Sequence, residues 1–288
     1  MRLKEASSYK RAFGPSRVNF FHRLLLPSLS SRKIKVLGSL VVLIALYYLV
    51  ISDKLLISEA VLSGNSQVTQ EAVNGVLDTN SNNRVFFVKK NHYFLMTHGR
   101  LNKLLTSSIP EVREVVKVNR KWPDKIEIEI TERNPGFVLA VKDRKFLVDE
   151  EGVVLKQLNA DENKELFEVI DQSQDDEMVV GEVLSNPKLV AFILSMYRAW
   201  PGKMEPEITS VKISSKTTYE TQFGTDSGWT VFFDINRSVS TQLNSLSLVL
   251  NKHITPKDKG RLAYIDMRSE KWIYYCFKNS PCSSQAYE

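Results

Sequence analysis

Residues 112–135 read VREVVKVNRKWPDKIEIEITERNP, and this stretch decides the fold. Its second half alternates. Ile126, Ile128 and Ile130 point one way, and Glu127, Glu129 and Thr131 point the other. That is the period of a half-buried strand. In the first half Val116 and Val118 are expected on one face, with Lys117 and Asn119 on the other. Between the halves stand Lys121, Trp122, Pro123 and Asp124. Proline donates no ladder hydrogen bond and presets φ for the second position of a tight turn, and Asp suits the position after it. The stretch therefore predicts a β-hairpin, closed by Glu132, Arg133, Asn134 and Pro135.

Outward from the hairpin, the 288 residues allow about two domains. The net charge of +6 suggests nucleic acid until its distribution is read. Residues 1–35 hold nine Lys or Arg and one acid, which is +8, so the remaining 253 carry −2. Basicity belongs to the head alone, and no nucleic-acid partner is expected. Residues 1–33 show no sustained period and read as a basic tail. From Ile34 to Ile51 the sole charge is Lys35. Eighteen helical residues cover roughly 27 Å, against a hydrocarbon core of about 30 Å. A transmembrane helix over 34–51 is expected. The competing reading is a cleaved signal peptide ending near Ala60, but the preceding region and the apolar run are both long for one. Arg32, Lys33 and Lys35 place the N-terminus in the cytoplasm by the positive-inside rule, with everything after Ile51 outside.

After the anchor, residues 55–62 read as a strand. Thr69 reads as the cap of a helix with Ala72, Val73, Val76 and Leu77 on its apolar stripe. Residues 85–88 are a short apolar run. A second helix is expected over 91–107, with Phe94, Leu95, Leu101, Leu104 and Leu105 dry and Pro110 ending it. The hairpin follows, giving the order strand-helix-helix-strand-strand. His92 and His98 lie six apart on that second helix, a poor spacing for a shared metal, and read as surface residues.

The spacing V-x-V-x-R-x-W-P-x-x-I-x-I-x-I-x-E-R-x-P is carried by Val116, Val118, Arg120, Trp122, Pro123, Ile126, Ile128, Ile130, Glu132, Arg133 and Pro135. It resembles the end of the POTRA domain in the bacterial cell-division proteins of the FtsQ/DivIB family. The element order before it, directly after an anchor, is also that family's. Downstream, Val148, Asp149, Gly152 and Val154 resemble the V-D-x-x-G-x-V hairpin that opens the family's second domain. Trp229 with Val231, and the run Tyr264-Ile265-Asp266-Met267-Arg268, are similar to its later strands. The resemblance implies an α+β chain in five parts: a cytoplasmic tail over 1–33, a transmembrane helix over 34–51, a POTRA domain over 55–133, a β-rich domain with two helices over 134–278, and a tail over 279–288.

Within 134–278 the expected strands are 137–141, 146–148, 208–214, 217–223, 229–235, 262–267 and 273–277, with helices over 187–200 and 239–253. Residues 161–182 hold nine acids and one lysine, but lack the D-x-[DN]-x-[DN]-G order of a calcium loop and read as a solvated acidic face. No metal or cofactor is expected. Cys276 and Cys282 either pair or stay as separate thiols.

No G-x-S-x-G, H-E-x-x-H or Gly-rich loop opening a helix occurs. Asp266 and Arg268 alternate with Ile265 and Met267 and are expected as an ion pair on one sheet face. In the last strand Trp272, Tyr274 and Cys276 share one face, and Ile273, Tyr275 and Phe277 the other. An open edge should not be apolar on both faces. Either the strand lies near the sheet centre, or a partner strand adds to it.

The resemblance implies the second outcome, with Arg268, Lys271, Trp272, Tyr274 and Cys276 binding a partner. It implies a non-enzymatic single-pass scaffold of the divisome in the inner membrane at the septum. Its partners would be FtsB/DivIC-like and FtsL-like proteins, and FtsW/FtsI-like members beyond them, with lipid around one helix and no small-molecule substrate. The alternative is a membrane-anchored cell-wall or export enzyme carrying a POTRA-like module.

Overall fold

The computed structural model describes residues 31–279 and Cys282, apart from 52, 65, 82, 86–87, 160–161, 163–164 and 174–177. Most of the basic head, Phe86, Phe87, the acids at 175–177 and most of the C-terminal tail therefore lie outside the described residues. The chain divides into two compact units, residues 1–53 and 54–288.

In the first unit, helix α1 runs Ser31–Ile51. Its described apolar side chains, from Ile34 to Tyr48, are all exposed. Among the described residues no helix is long and apolar enough to cross a membrane. Side chains in α1 are described as far as Tyr48, so the transmembrane expectation is not met within that span.

Among the described residues the second unit holds two large cores and a smaller cluster of Val138, Leu147, Val153, Leu155 and Leu158. The first core is built on the hairpin. Strands β1 (Glu59–Ser63), β4 (Val112–Lys121) and β5 (Lys125–Glu132) form a sheet in the order β1-β5-β4, with β1 parallel and β4 antiparallel to β5. Ile126, Ile128 and Ile130 are buried, as the alternation predicts. Helices α2 (Gln70–Ser81) and α3 (His98–Ser108) supply Val73, Leu77, Leu101 and Leu105 to the same core. A two-stranded ribbon, β2 (Arg84–Val85) and β3 (Val88–Lys89), lies between them in sequence.

Three expectations are corrected here. The register of β4 shifts twice, once between Val112 and Glu114 and again between Val115 and Lys117. Such an irregularity breaks the alternation, so Val115 is buried while Val116 is half exposed. Helix α3 begins at His98, not Asn91. Thr97 is extended at its N-cap, and residues 92–96 form turns in which Leu95 and Met96 donate to the His92 carbonyl. Phe94 is consequently exposed, and His92 is buried beside a bridge to Leu56. The first strand starts at Glu59 because residues 53–55 form a 3-10 turn.

The second core lies under a nine-stranded sheet. Its first strands are β6 (Pro135–Val141), β7 (Arg144–Asp149), β8 (Val154–Leu158) and β9 (Glu168–Asp171). They are followed by β10 (Ile208–Ile213), β11 (Glu220–Thr225), β12 (Thr230–Asp234), β13 (Leu262–Asp266) and β14 (Tyr274–Phe277). The order is β14-β13-β12-β11-β10-β9-β6-β7-β8. Helices α4 (Pro187–Ala199) and α5 (Val239–Lys252) bury Phe192, Ile193, Leu243 and Leu246 in the core with Phe137, Phe223, Phe233 and Ile265. Asn186 caps α4 through its side-chain oxygen, and proline follows at the first turn, where its missing N–H is harmless. A four-residue helix, α6 (Pro256–Lys259), precedes β13.

Strand β9 corrects the acidic-face expectation. It pairs in parallel with both β6 and β10 and so joins the two halves of the sheet. Val169 is fully buried and Asp171 nearly so. The turn into β8 explains the Asp-x-x-Gly signature. Asp149 Oδ1 accepts from the backbone N–H of Glu151 at 2.9 Å and of Val153 at 2.6 Å. Gly152 has φ of 87°, in the left-handed region, and a Cβ there would meet Val190 at 3.1 Å.

Candidate partner-binding edge

The motif at the end of the hairpin acts in two directions. Glu132 reaches back into the first core. Its carboxylate accepts from the backbone N–H groups of Ser66, Gln67 and Val68 at 2.7–3.1 Å and from the Ser66 hydroxyl at 2.6 Å. Arg133 reaches forward. Its Nη1 donates at 2.8 Å to Asp149 Oδ2, at the end of β7, and at 2.8 Å to Glu151 Oε2, in the turn that follows. Arg113 on β4 also pairs with Glu151, at 2.5 Å. Pro135 opens β6, a position where a missing N–H is tolerated. At the other end of the hairpin, Arg120 donates to the Met96 carbonyl at 3.1 Å and lies over the Tyr93 ring. The Trp122–Pro123 peptide is cis, and Trp122 is exposed. Arg32, Lys33 and Lys35 are exposed on α1.

The Glu132 cradle makes stability depend on pH. Burial works against the charged form, but the Ser66 hydroxyl and the three backbone N–H groups outweigh it and hold the carboxyl below its ordinary range. A depressed folded value gives stability that is present above the unfolded value and lost as pH falls through the folded one. Glu132→Gln is expected to cost about 1–3 kcal/mol at pH 7, the worth of hydrogen bonds to a charged group. It should also flatten the loss of stability below about pH 4.3. Urea unfolding of both forms from pH 7 to pH 3 measures this.

At the far end of the large sheet, β14 is the last strand, with no strand beyond it among the described residues. It runs antiparallel to β13, which is parallel to β12. Ile273, Tyr275 and Phe277 pack against the second core. Registry places Phe232, Asp266 and Tyr274 side by side on the opposite face, with Thr230, Tyr264 and Cys276 in the next row. Cys276 is buried and joined to Cys282 by a disulfide, which settles the choice between paired and separate thiols. Trp272 and Tyr274 are half buried, and Lys271 is exposed.

Arg268 binds the face together. It grips Asp266 with two hydrogen bonds, Nε to Oδ1 at 2.9 Å and Nη2 to Oδ2 at 2.6 Å. Its Nη1 donates to Glu220 on β11 at 2.7 Å, and its guanidinium lies 5.2 Å from the Phe232 ring centroid. The Asp266 hydrogen bond raises the Arg268 pKa further, against the opposing effect of burial. For Asp266, burial favours the neutral acid, but hydrogen bonds from Arg268 prevail and hold the carboxyl below its usual range. The expected ion pair is present. Arg268 already has two carboxylates, and the exposed Lys271 and Lys278 stand before and after β14 as accessible positive charges. Arg237 braces the connection to β14 by donating to the carbonyls of Met267 and Ser269.

Phe232, Glu220 and Arg237 carry no sequence signal, and Tyr264 enters only as part of the run that ends at Arg268. Phe232 and Tyr264 do sit at alternating positions, but no short-range signal says which strands lie side by side. The arrangement offers a backbone edge, a strip of half-exposed rings and a lysine. It is suited to binding an extended chain.

A POTRA-type core followed by this mixed sheet defines the class. Residues 55–133 match the POTRA domain of FtsQ type, and residues 138–268 match the C-terminal part of cell division protein FtsQ/DivIB. A stretch of 58 residues is 41% identical to the cell division protein FtsQ of Novosphingobium aromaticivorans, covering 20% of this chain and 18% of that protein. The chain belongs to the FtsQ/DivIB family of cell-division proteins. The second match ends at Arg268, so β14 lies beyond it.

Proposed function

We propose that the chain is a non-enzymatic single-pass scaffold of the divisome, organised as a cytoplasmic tail over 1–33, an anchor over 34–51, a POTRA domain over 55–133, a partner-binding β domain over 134–278 and a short tail over 279–288. The observation that carries it is the edge position of β14, with Trp272 and Tyr274 half buried beside Lys271. A strand of an FtsB/DivIC-like partner adds to this edge. Backbone hydrogen bonds supply affinity, and the rings supply anchors. An FtsL-like protein arrives with that partner, and FtsW/FtsI-like members meet the helix and the POTRA domain at the septum. The anchor reading is supported by the sequence, in which residues 36–51 carry no charge and stand directly before the POTRA match at 55–133. Arg32, Lys33 and Lys35 just before that run favour a cytoplasmic N-terminus in the inner membrane.

Two measurements test this. A photo-crosslinking residue at Tyr274 in membranes should capture a small coiled-coil membrane protein, and a crosslinker on β8 at the opposite edge should not. A reporter active only outside the cytoplasm should work when fused after Glu288. Equal capture from both edges would remove the β14 site. A silent reporter, with an active cytoplasmic one at the same position, would reverse the topology.

A further inference from the structure

The first core carries rings that it does not use. Trp122 is 65% exposed and Phe94 is 49% exposed, and neither belongs to the buried cluster. They are joined through Tyr93, whose ring meets Trp122 edge-on at 5.7 Å and Phe94 edge-on at 5.5 Å. The Arg120 guanidinium lies 5.8 Å from the Tyr93 centroid. Lys121, next to Trp122, is exposed although it lies 3.4 Å from Glu127. Exposed aromatic rings beside cations suit the headgroup layer of a bilayer, where a ring finds an apolar side and a cation finds phosphate.

The place of these rings in the chain strengthens the case. The Tyr93 N–H donates to the Leu55 carbonyl at 2.8 Å, and the Ser58 N–H donates to the Asp124 carbonyl at 2.9 Å. Both ring-bearing segments are thus fastened to residues 55–58. Leu55 is four residues after Ile51, where α1 ends. Four residues of chain reach at most about 14 Å, less than half the thickness of a bilayer.

We propose that Tyr93, Phe94 and Trp122 form an interfacial collar that enters the lipid headgroup layer on the side where α1 emerges, with Arg120 and Lys121 meeting lipid phosphates. The inference rests on the reading of α1 as a membrane anchor. A lipid surface is favoured over a protein because that short tether keeps the rings within reach of it and the cations complement anionic headgroups.

The full chain is reconstituted in vesicles of phosphatidylcholine and phosphatidylglycerol whose acyl chains are brominated near the headgroup. The four tryptophans are Trp122, Trp200, Trp229 and Trp272, and α1 has none. Trp200 and Trp229 are buried. Bromolipid is expected to quench the emission, Trp122→Phe to remove most of that quenching, and Trp272→Phe to leave it. If the chain fails to float with vesicles or is stripped by carbonate, the anchor reading and the collar both fall. If it floats and resists stripping but Trp122→Phe leaves the quenching unchanged, the collar alone is overturned. Shielding of Trp122 from aqueous iodide in native membranes, with none in pure-lipid vesicles, would assign the rings to a protein and also overturn it.

Discussion

Ile128→Asp is expected to unfold the first core. Ile128 is completely buried at the centre of β5, between β1 and β4, facing α2 and α3. Removing a buried Ile side chain costs about 2–5 kcal/mol. An unpaired carboxylate in its place adds several more. The total rivals the roughly 5–15 kcal/mol that holds a whole domain folded. Hydrogen exchange on residues 54–288 should show protection lost across β1, β4 and β5. Glu127→Ala, one residue away on the wet face, should stay within about 0.5 kcal/mol. Retained protection in the Ile128 variant would show that this face is not the one the core depends on.

Trp272→Ala is expected to weaken the proposed partner interaction by about 2 kcal/mol, or roughly thirtyfold, mainly through faster dissociation. Trp272 is half buried on the connection entering β14, and its backbone N–H donates to the Ser269 hydroxyl at 3.3 Å. Lys271→Glu should act differently. An exposed rim charge changes association rate and salt dependence more than dissociation. Binding kinetics at two salt concentrations separate the two. The melting temperature of each variant should stay near that of the parent. A Trp272 variant that melts early would place this ring in the fold, and two variants that bind normally would move the site elsewhere.

The isoleucine triad was legible because its period is local: three residues two apart show their buried face without reference to anything else. The exposure of Val116 departs from the local alternation because a register shift is a property of two strands together, and only the pairing with β5 reveals it. Strand β9 was hidden for a related reason. Its apolar part is Val169 and Ile170 alone, between Glu168 and Asp171 in an acid-rich run. What makes it a strand is parallel pairing to β6 and β10, from sequence positions 30 residues before and 42 after. Phe94 and Leu95 continue the helical spacing ahead of α3, but the chain at 92–93 is held by Leu55 and Leu56, so the helix starts only at His98. At the edge, the alternation of Tyr274 and Cys276 is local and readable, whereas Trp272 lies before β14, on the connection into it. The Arg268–Asp266 pair was readable too, since the two lie two apart. Glu220 and Phe232 lie on other strands, and their approach to Arg268 follows from sheet order, which no short motif encodes.

Glu132 and Arg133 are neighbours with opposite attachments. One is clamped by the loop before α2, and the other by the end of β7 and the turn after it. A swivel of one core against the other must tear at least one of these clamps, because a single peptide unit separates them. The two cores therefore respond to a pull as a stiff coupling rather than as beads on a string. Tension entering at β14 crosses the ladders to β6, passes Pro135 and arrives at the hairpin with little slack to absorb it.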